Sequence, residues 1–374
     1  MKSMPKKITI LHILPNLSRG GAERVCVDIL KNLDQEKFSP VLLLFKKNRE
    51  GKEMGAELVA AGVPIFSLSK RILIDPINFG KIIALIKKIK PDIIHTHLGG
   101  DIYGRLAGKI LHVPIIVSTE HNLNKNEKKS ATYLKRITTK WANKIFAVSE
   151  SVREDAIIRY QLNPEKITVL YNGIDTNFFR PEDNQNQFQN KDNSHKLVLG
   201  ALGRLSAQKG FMSLIEAISK TKNKNYSLEI GGVGELENDF KKRIKELELI
   251  NRVSLLGLVD TKKFLNKIDI FIFPSLWEGL GLAILEAGAM NKPIIASQIE
   301  GVREVLDEDN AFLFPAGDDD ILAEKIDFVI NNLNSSDVKR RVEIVQKIIR
   351  EKFSVDDMVI KYANWYESLF NKEA

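Results

Sequence analysis

The chain has 374 residues, 44% hydrophobic and 28% charged, which describes an ordinary soluble globular protein with room for two domains. Its single cysteine, Cys26, excludes an internal disulfide and favours a reducing compartment, and no apolar run nears the ~18 residues that cross a bilayer. The net charge of +8 is uneven: residues 1–172 carry 29 Lys and Arg against 16 Asp and Glu, while residues 173–374 carry 27 against 32. One half therefore invites an anionic partner, either nucleic acid or a membrane surface.

The opening "MKSMPKKITILHILPNL" places lysines before a short apolar stretch, as a signal peptide does. His12 interrupts that stretch and no small-residue cleavage site follows, so it reads as a first buried strand. "LPNLSRGGAERV" comes next. Gly20 and Gly21 allow close backbone approach, and the helix amino terminus beyond them favours an anion; a tight strand-to-helix turn accounts for the same residues. The dinucleotide fingerprint G-x-G-x-x-G is absent. Cys26, in the helix interior, reads as a core residue with no basic neighbour in the sequence.

"PVLLLF", "VPIFSL", "DIIHTH", "PIIVST", "KIFAVS" and "KITVLYN" continue as strands, separated by amphipathic stretches such as "NFGKIIALIKKI". Continuous apolar strands alternating with helices predict a parallel sheet covered on both faces. His95 and His97 share a strand face and look like a metal pair; without an evident third ligand, strand-end packing is the favoured reading. Residues 124–144 carry seven Lys and Arg and one Glu, with Tyr133, Ile137 and Trp141 at i, i+4 and i+8. Such a helix can lie on anionic lipid, or turn its apolar stripe to the core.

A polar stretch around 180–196 reads as a linker, and the pattern then restarts with "KLVLGALGRL", "SLEIGG", "RVSLLG", "DIFIFPS", "KPIIAS" and "NAFLF". In "GALGRLSAQKG", Gly203 and Gly210 bracket Arg204 and Lys209, two cations between a strand and a helix, a pattern suited to a diphosphate. "GGVGELEN" offers Gly232 and Gly234 but places Glu237 where a third glycine would be, a weak phosphate signal. "FPSLWEGLGLAILEAGAM", 273–290, puts Glu278 in a glycine-flanked loop and Glu286 eight residues later in an apolar helix. Buried carboxylates need partners. Here the backbone N–H groups of Gly279, Leu280 and Gly281 are expected to face an anion, with the two carboxylates binding different parts of one elongated ligand. A sugar, a diphosphate and a ribose in a row describe a nucleotide sugar. The last stretch, "SVDDMVIKYANWYESLF", reads as a helix whose Trp365, Tyr366 and Phe370 pack against a domain.

At this point the residues resemble a family. "EGLGLAILE" is similar to the Glu-x7-Glu motif of glycosyltransferase family 4, retaining enzymes of the GT-B fold, and "GGAER", "STEHN", "VLYNGID" and "GRLSAQKG" occur in that family's order. The resemblance covers nearly the whole chain. It implies an α/β GT-B fold, two Rossmann-like doubly wound domains facing across a cleft. The expected layout is an acceptor domain at 1–178, a linker at 179–195, a nucleotide-sugar domain at 196–352, and a helix at 353–374 able to cross back to the first domain.

The resemblance also implies roles. Arg204 and Lys209 would bind the donor diphosphate, Glu278 the transferred sugar, and Glu286 the ribose; His121 would face the donor sugar, and Gly20 and Gly21 would line the phosphate and acceptor region. Gly203, Gly279, Leu280 and Gly281 complete the expected donor site. Retention by front-side attack needs no carboxylate pair of the glycosidase kind; Glu278 as a covalent nucleophile is the minority reading. The family generally uses no metal, and no cofactor is expected.

The partners are then a nucleotide-sugar donor, a UDP-sugar by preference, and a glycan or lipid-linked acceptor in cell-envelope polysaccharide biosynthesis. An anionic membrane surface at 124–144 is favoured over nucleic acid, which implies a cytoplasmic protein peripheral to the membrane. A sugar-nucleotide epimerase of the same fold and a non-catalytic nucleotide-sugar sensor are the rival readings; a nicotinamide-dependent dehydrogenase lacks its fingerprint.

Overall fold

A computed structural model of the chain describes residues 6–18, 20–46, 52–68, 76–123, 127–181 and 196–373. The chain divides into two compact units: unit 1 is Met1–Gly173 with Val355–Ala374, and unit 2 is Ile174–Ser354. The boundaries read from the sequence are 178 and 352, whereas the units divide after Gly173 and after Ser354. Ile174 donates its N–H to the Phe353 carbonyl at 2.9 Å and bridges to Ser354, so both residues belong to unit 2.

Unit 1 runs β1 (Ile8–Leu14), α1 (Gly21–Asn32), β2 (Phe38–Leu44), α2 (Lys52–Ala60), β3 (Ile65–Ser67), α3 (Pro76–Ile89), β4 (Ile93–His97), α4 (Asp101–Ile110), β5 (Ile115–Glu120), α5 (Lys129–Thr138), β6 (Lys144–Ala147), α6 (Glu150–Tyr160) and β7 (Ile167–Val169). Among the described residues these strands form one parallel sheet in the order β3-β2-β1-β4-β5-β6-β7. The order reverses between β1 and β4, the switch point at which doubly wound sheets bind ligands.

Alternation along β4 and β5 sends His95, His97 and Thr119 to one face and Thr96 and Ser118 to the other. Leu14, Cys26, Val27 and Leu30 form the core on the α1 side, and Leu11, Ile13, Ile82, Ile86 and Ala107 the core beneath α3 and α4. Each fully buried aliphatic side chain contributes roughly 1.5–3 kcal/mol.

Unit 2 runs β8 (Leu197–Leu202), α7 (Phe211–Lys220), β9 (Tyr226–Gly231), α8 (Glu237–Glu246), β10 (Val253–Gly257), α9 (Thr261–Lys267), β11 (Ile270–Phe273), α10 (Leu282–Ala289), β12 (Ile294–Ser297), α11 (Glu300–Arg303), β13 (Phe312–Phe314), α12 (Asp319–Asn331) and α13 (Ser336–Lys352). Its parallel sheet has the order β10-β9-β8-β11-β12-β13, with the switch point between β8 and β11. Helix starts are set locally: the side chains of Asp260, Asp318 and Ser335 accept from the N–H groups of Lys263, Ile321 and Val338.

The last helix, α14 (Val355–Glu373), belongs to unit 1. Its Tyr362 and Tyr366 are buried, and Trp365 lies against Phe146 with the Lys144 ammonium 4.6 Å from its ring.

Candidate active site

In unit 2 the loops that leave β8 and β11, the two strands flanking the switch point, are laced together. The Leu276 N–H donates to the Gln208 carbonyl at 2.8 Å, and Gln208 Nε2 donates to the Trp277 carbonyl at 3.0 Å. Gly210 has φ +64°, and a Cβ there would collide with the Pro274 carbonyl, so the close approach requires glycine. The lacing carries Lys209 to Glu278, and the Lys209 ammonium donates to the Glu278 carboxylate.

Ser275 Oγ donates to the same carboxylate oxygen at 3.3 Å, and the Phe273 ring lies 5.4 Å beneath the ammonium. Ser297 at the end of β12 holds the loop by donating to the Ser275 carbonyl at 2.5 Å. The side chains of Lys209 and Glu278 are 19% and 8% exposed, so this ion pair is largely desolvated yet open at one edge.

The other expected donor-site residues spread around this pair. Arg204 is 73% exposed and its Nε donates to Glu235 at 3.2 Å, so the two cations of "GRLSAQKG" hold different carboxylates. The Lys209 side chain packs over Gly203. Gly279 and Leu280 are buried in the loop, packed so closely under α11 that a Cβ on Gly301 would collide with the carbonyls of Glu278 and Gly279. Helix α10 begins at Leu282, where the sequence placed it, with Gly281 at φ +74° as its cap, so Gly279 and Leu280 lie in the loop before its amino end. Glu286 is half-buried on α10.

The "GGVG" glycines have a packing role: a Cβ on Gly232 or Gly234 would collide with the backbone of Gly203 or Leu205. Sequence reasoning missed Ser275 and Gln208. The serine that ends "FIFPS" three residues before Glu278 was the available signal.

In unit 1 the switch-point loops carry histidines. His12 on β1, His97 at the end of β4 and His121 just after β5 form a buried hydrogen-bonded chain, 3.1 Å from His12 Nδ1 to His97 Nε2 and 3.0 Å from His97 Nδ1 to His121 Nε2. His95 instead bonds Tyr366 at 2.6 Å and Thr119 at 2.7 Å. Burial pushes His12 down to about 3 and His121 to about 4, and drives His95 and His97 well below the usual imidazole range, so all four are neutral near pH 7.

Cys26, read as having no basic neighbour, has one: its Sγ lies 3.8 Å from His12 Nδ1, a contact between residues fourteen apart that no local pattern reveals. Burial still pushes the thiol up, so it is not activated. Among the described residues, His12, Cys26 and His97 are the group whose ligand atoms lie within 4.8 Å of one another. Two of those atoms are committed to each other by the 3.1 Å hydrogen bond. At the start of α1, the Glu23 carboxyl accepts from Ser18 and lies where a Cβ on Gly20 would be, so a carboxylate of the chain itself occupies the helix end expected to take an anion. Burial raises the Glu23 pKa.

On the opposite sheet face the 124–144 reading needs correction. The helix spans Lys129–Thr138, and residues 124–126 lie outside the described residues. Its buried face is Lys135 and Thr138, while Tyr133 and Leu134 are 62% and 44% exposed. Lys135 therefore cannot meet lipid. Its ammonium sits 2.9 Å from Glu127, 3.7 Å from Glu120 and 3.8 Å from Asp101, beside the fully buried Arg105, which reaches Glu120 at 3.4 Å. Asp101, Arg105 and Glu120, buried beneath the helix, draw Lys135 inward and override the apolar stripe, because leaving a buried charge unpaired costs more than exposing a tyrosine.

Two doubly wound parallel units, each with polar residues gathered at its switch point, are the layout of the GT-B fold. The comparisons agree. The family model "Glycosyltransferase Family 4" matches residues 19–178 and "Glycosyl transferases group 1" matches residues 182–347. A UDP-Gal:alpha-D-GlcNAc-diphosphoundecaprenol alpha-1,3-galactosyltransferase of Escherichia coli is 30% identical, over 96% of this chain and 100% of its own length. The capsular polysaccharide biosynthesis glycosyltransferase CapM of Staphylococcus aureus is 29% identical over 67% of this chain and 70% of its own.

Among solved structures, Anabaena Alr3699/HepE in complex with UDP and glucose matches with TM-score 0.84 at 21% identity, over 96% of this chain and 100% of that one. A glycosyltransferase from Rickettsia africae matches with TM-score 0.82 at 24% identity, over 98% and 99%. The chain belongs to glycosyltransferase family 4 and is a glycosyltransferase of the GT-B fold.

Proposed function

We propose that the protein transfers a sugar, with retention, from a UDP-sugar to a hydroxyl of a lipid-linked glycan in the synthesis of a cell-envelope polysaccharide. The observation that carries the donor site is the Lys209–Glu278 pair, set by the two loops that flank the unit 2 switch point. In this reading the diphosphate takes Lys209 and Arg204, the transferred sugar's hydroxyls take Glu278, and Glu286 takes the ribose. Gly203, Gly279, Leu280 and Gly281 shape the floor. His121 in unit 1 is assigned to the transferred sugar, and Gly20 and Gly21 to the phosphate and acceptor region, where a phosphate would have to displace the Glu23 carboxylate from the helix end. The lipid-linked acceptor is supported by the printed activity of the Escherichia coli relative, and the uridine donor by that relative and the Anabaena complex.

The chemistry follows from the charges. The bond between the anomeric carbon and the phosphate oxygen breaks while the acceptor oxygen bonds that carbon on the same face. The acceptor's proton passes to the departing phosphate oxygen. Negative charge grows on the diphosphate, where Lys209 and Arg204 stabilise it without an added proton donor. Donor binding divides the Lys209–Glu278 pair between phosphate and sugar, so each charge exchanges one partner for another and neither is left buried alone.

The membrane surface is assigned to the exposed residues on and beside α5, Lys128, Lys129, Arg136 and Lys140 with Tyr133 and Leu134. Among the described residues no helix is long and apolar enough to cross a membrane, and a basic face of this kind holds a protein at an anionic surface.

A thermal-shift panel of nucleotide sugars tests the donor, since a ligand bound at 100 times its Kd stabilises by about 2.7 kcal/mol. A UDP-sugar is expected to raise Tm and to be consumed only when a lipid-linked glycan is supplied, giving an α-linked product from an α-linked donor. No shift with any UDP-sugar would defeat the donor assignment, and a β-linked product would defeat retention.

A further inference from the structure

The buried polar layer on the α1 face of unit 1 contains an unbranched chain of three imidazoles, His121 to His97 to His12. Its two ends, His121 Nδ1 and His12 Nε2, are buried and have no hydrogen-bond partner. Burial keeps the rings neutral. A neutral imidazole has one N–H and one lone pair, so two contacts among three rings admit two complete arrangements.

In the first arrangement every N–H points inward. His121 and His97 each donate from Nε2, and His12 is left with an Nε2–H that meets nothing. In the second every N–H points outward. His12 and His97 each donate from Nδ1, and His121 is left with an Nδ1–H. Each arrangement strands one donor and one lone pair, and they differ in where the donor is stranded.

A buried N–H without an acceptor is the rarer and costlier defect. His12 is 0% exposed, whereas His121, one residue past the end of β5, keeps 6%. The outward arrangement therefore places the costly group on the residue nearer the surface. It also gives the Nδ1–H of His12 a second weak acceptor, the Cys26 sulfur at 3.8 Å.

We propose that His97 and His12 are positioning residues that hold His121 in its Nδ1–H tautomer, so that His121 offers a hydrogen-bond donor, and not a lone pair, at the β5 end of the chain. This rests on the assignment of His121 to the transferred sugar and narrows it. A fixed donor binds a hydroxyl or phosphate oxygen through that oxygen's lone pair. It cannot take the acceptor's proton, which leaves that proton to the departing phosphate.

Long-range proton–nitrogen correlation spectra of the full-length protein labelled with nitrogen-15 histidine read each ring's tautomer, and His121→Asn assigns the His121 signals. The expected wild-type spectrum shows His121 protonated at Nδ1 near neutral pH. In His97→Asn, and independently in His12→Asn should the first not fold, His121 is expected to drift toward the Nε2–H form; a purely structural role for the chain would alter stability and leave the tautomer alone. An Nε2–H His121 in the wild type, or an unchanged Nδ1–H His121 in both variants, overturns the proposal.

The transfer assay is scored separately. His97→Asn should lower kcat by about tenfold or more, as a misoriented tautomer does, with donor KM little changed. Transfer at the wild-type rate by His121→Ala would defeat the assignment of His121 to the sugar, while the spectra would still decide the tautomer.

Discussion

Acid should destabilise unit 1 well before the carboxylates of an ordinary domain are titrated. In an unfolded chain an imidazole titrates near 6.5, whereas burial in the fold pushes His12 to about 3 and His121 to about 4. Between those values the unfolded state binds protons that the fold refuses, so stability falls as pH falls. The contribution of these histidines is complete above the unfolded value and is lost downward toward the folded ones.

At about pH 5 each ring has cost roughly 1.5 units at 1.36 kcal/mol per unit, or ~4 kcal/mol for the two. His95 and His97, depressed in the same direction by burial and by the neighbouring histidines, add to it. Asp101 works the other way. Burial raises it to about 6, so its folded form gains a proton first and its contribution grows as pH falls; by about pH 5 that restores roughly 1.4 kcal/mol. Glu120, held low by Lys135 and Arg105 against its burial, contributes above its ordinary range and is lost only at lower pH still.

The net loss of about 3 kcal/mol or more compares with a typical total stability of 5–15 kcal/mol. Urea unfolding at neutral pH and at about pH 5, followed by hydrogen exchange resolved to peptides of β4, β5 and β11, measures it. Peptides of β4 and β5 should lose protection at the lower pH while those of β11 keep theirs. Equal stability of β4 and β5 at the two pH values, or ring protons of His12 and His121 that titrate near 6.5, would refute the reasoning.

Other outcomes follow from the same geometry. Lys209→Ala should lower the transfer rate by about a hundredfold or more, on the order of 2.7–4 kcal/mol, with circular dichroism unchanged; near-normal turnover would remove it from the diphosphate site. Arg105→Met leaves Glu120 and Asp101 buried beside one fewer cation, and should lower the urea-unfolding free energy of unit 1 by about 3–5 kcal/mol. Gly210→Ala forces a Cβ into the Pro274 carbonyl at a left-handed backbone position, so a lower Tm together with weakened UDP-sugar binding is expected. Replacing Lys128, Lys129, Arg136 and Lys140 by Ser should release the protein from anionic vesicles at low salt, each charge contributing about 1 kcal/mol, while transfer to a soluble acceptor analogue persists. Binding that survives the four changes would place the membrane contact elsewhere.

The sequence by itself determined the elements and their order. Every strand named from an apolar run is a strand, since a buried parallel strand advertises itself over a few consecutive residues and its loop glycines follow at once. It also determined which loops hold polar chemistry, because in a doubly wound unit those loops must follow strands. Tertiary structure decided which of their side chains meet. Lys209 and Glu278 lie 69 residues apart, and only the crossing of order between β8 and β11 sets their loops side by side. His12 and His97 lie on two strands and His121 just past a third, and no local pattern records the register of those strands. Lys135 is the sharpest case. Its charge and the neighbouring Tyr133, Ile137 and Trp141 argued for a solvent or lipid face, yet Asp101 and Glu120 wait beneath it. Periodicity reports where apolar residues recur along one helix, whereas the burial of a charge depends on partners supplied by other elements, and those are known only once the sheet has assembled.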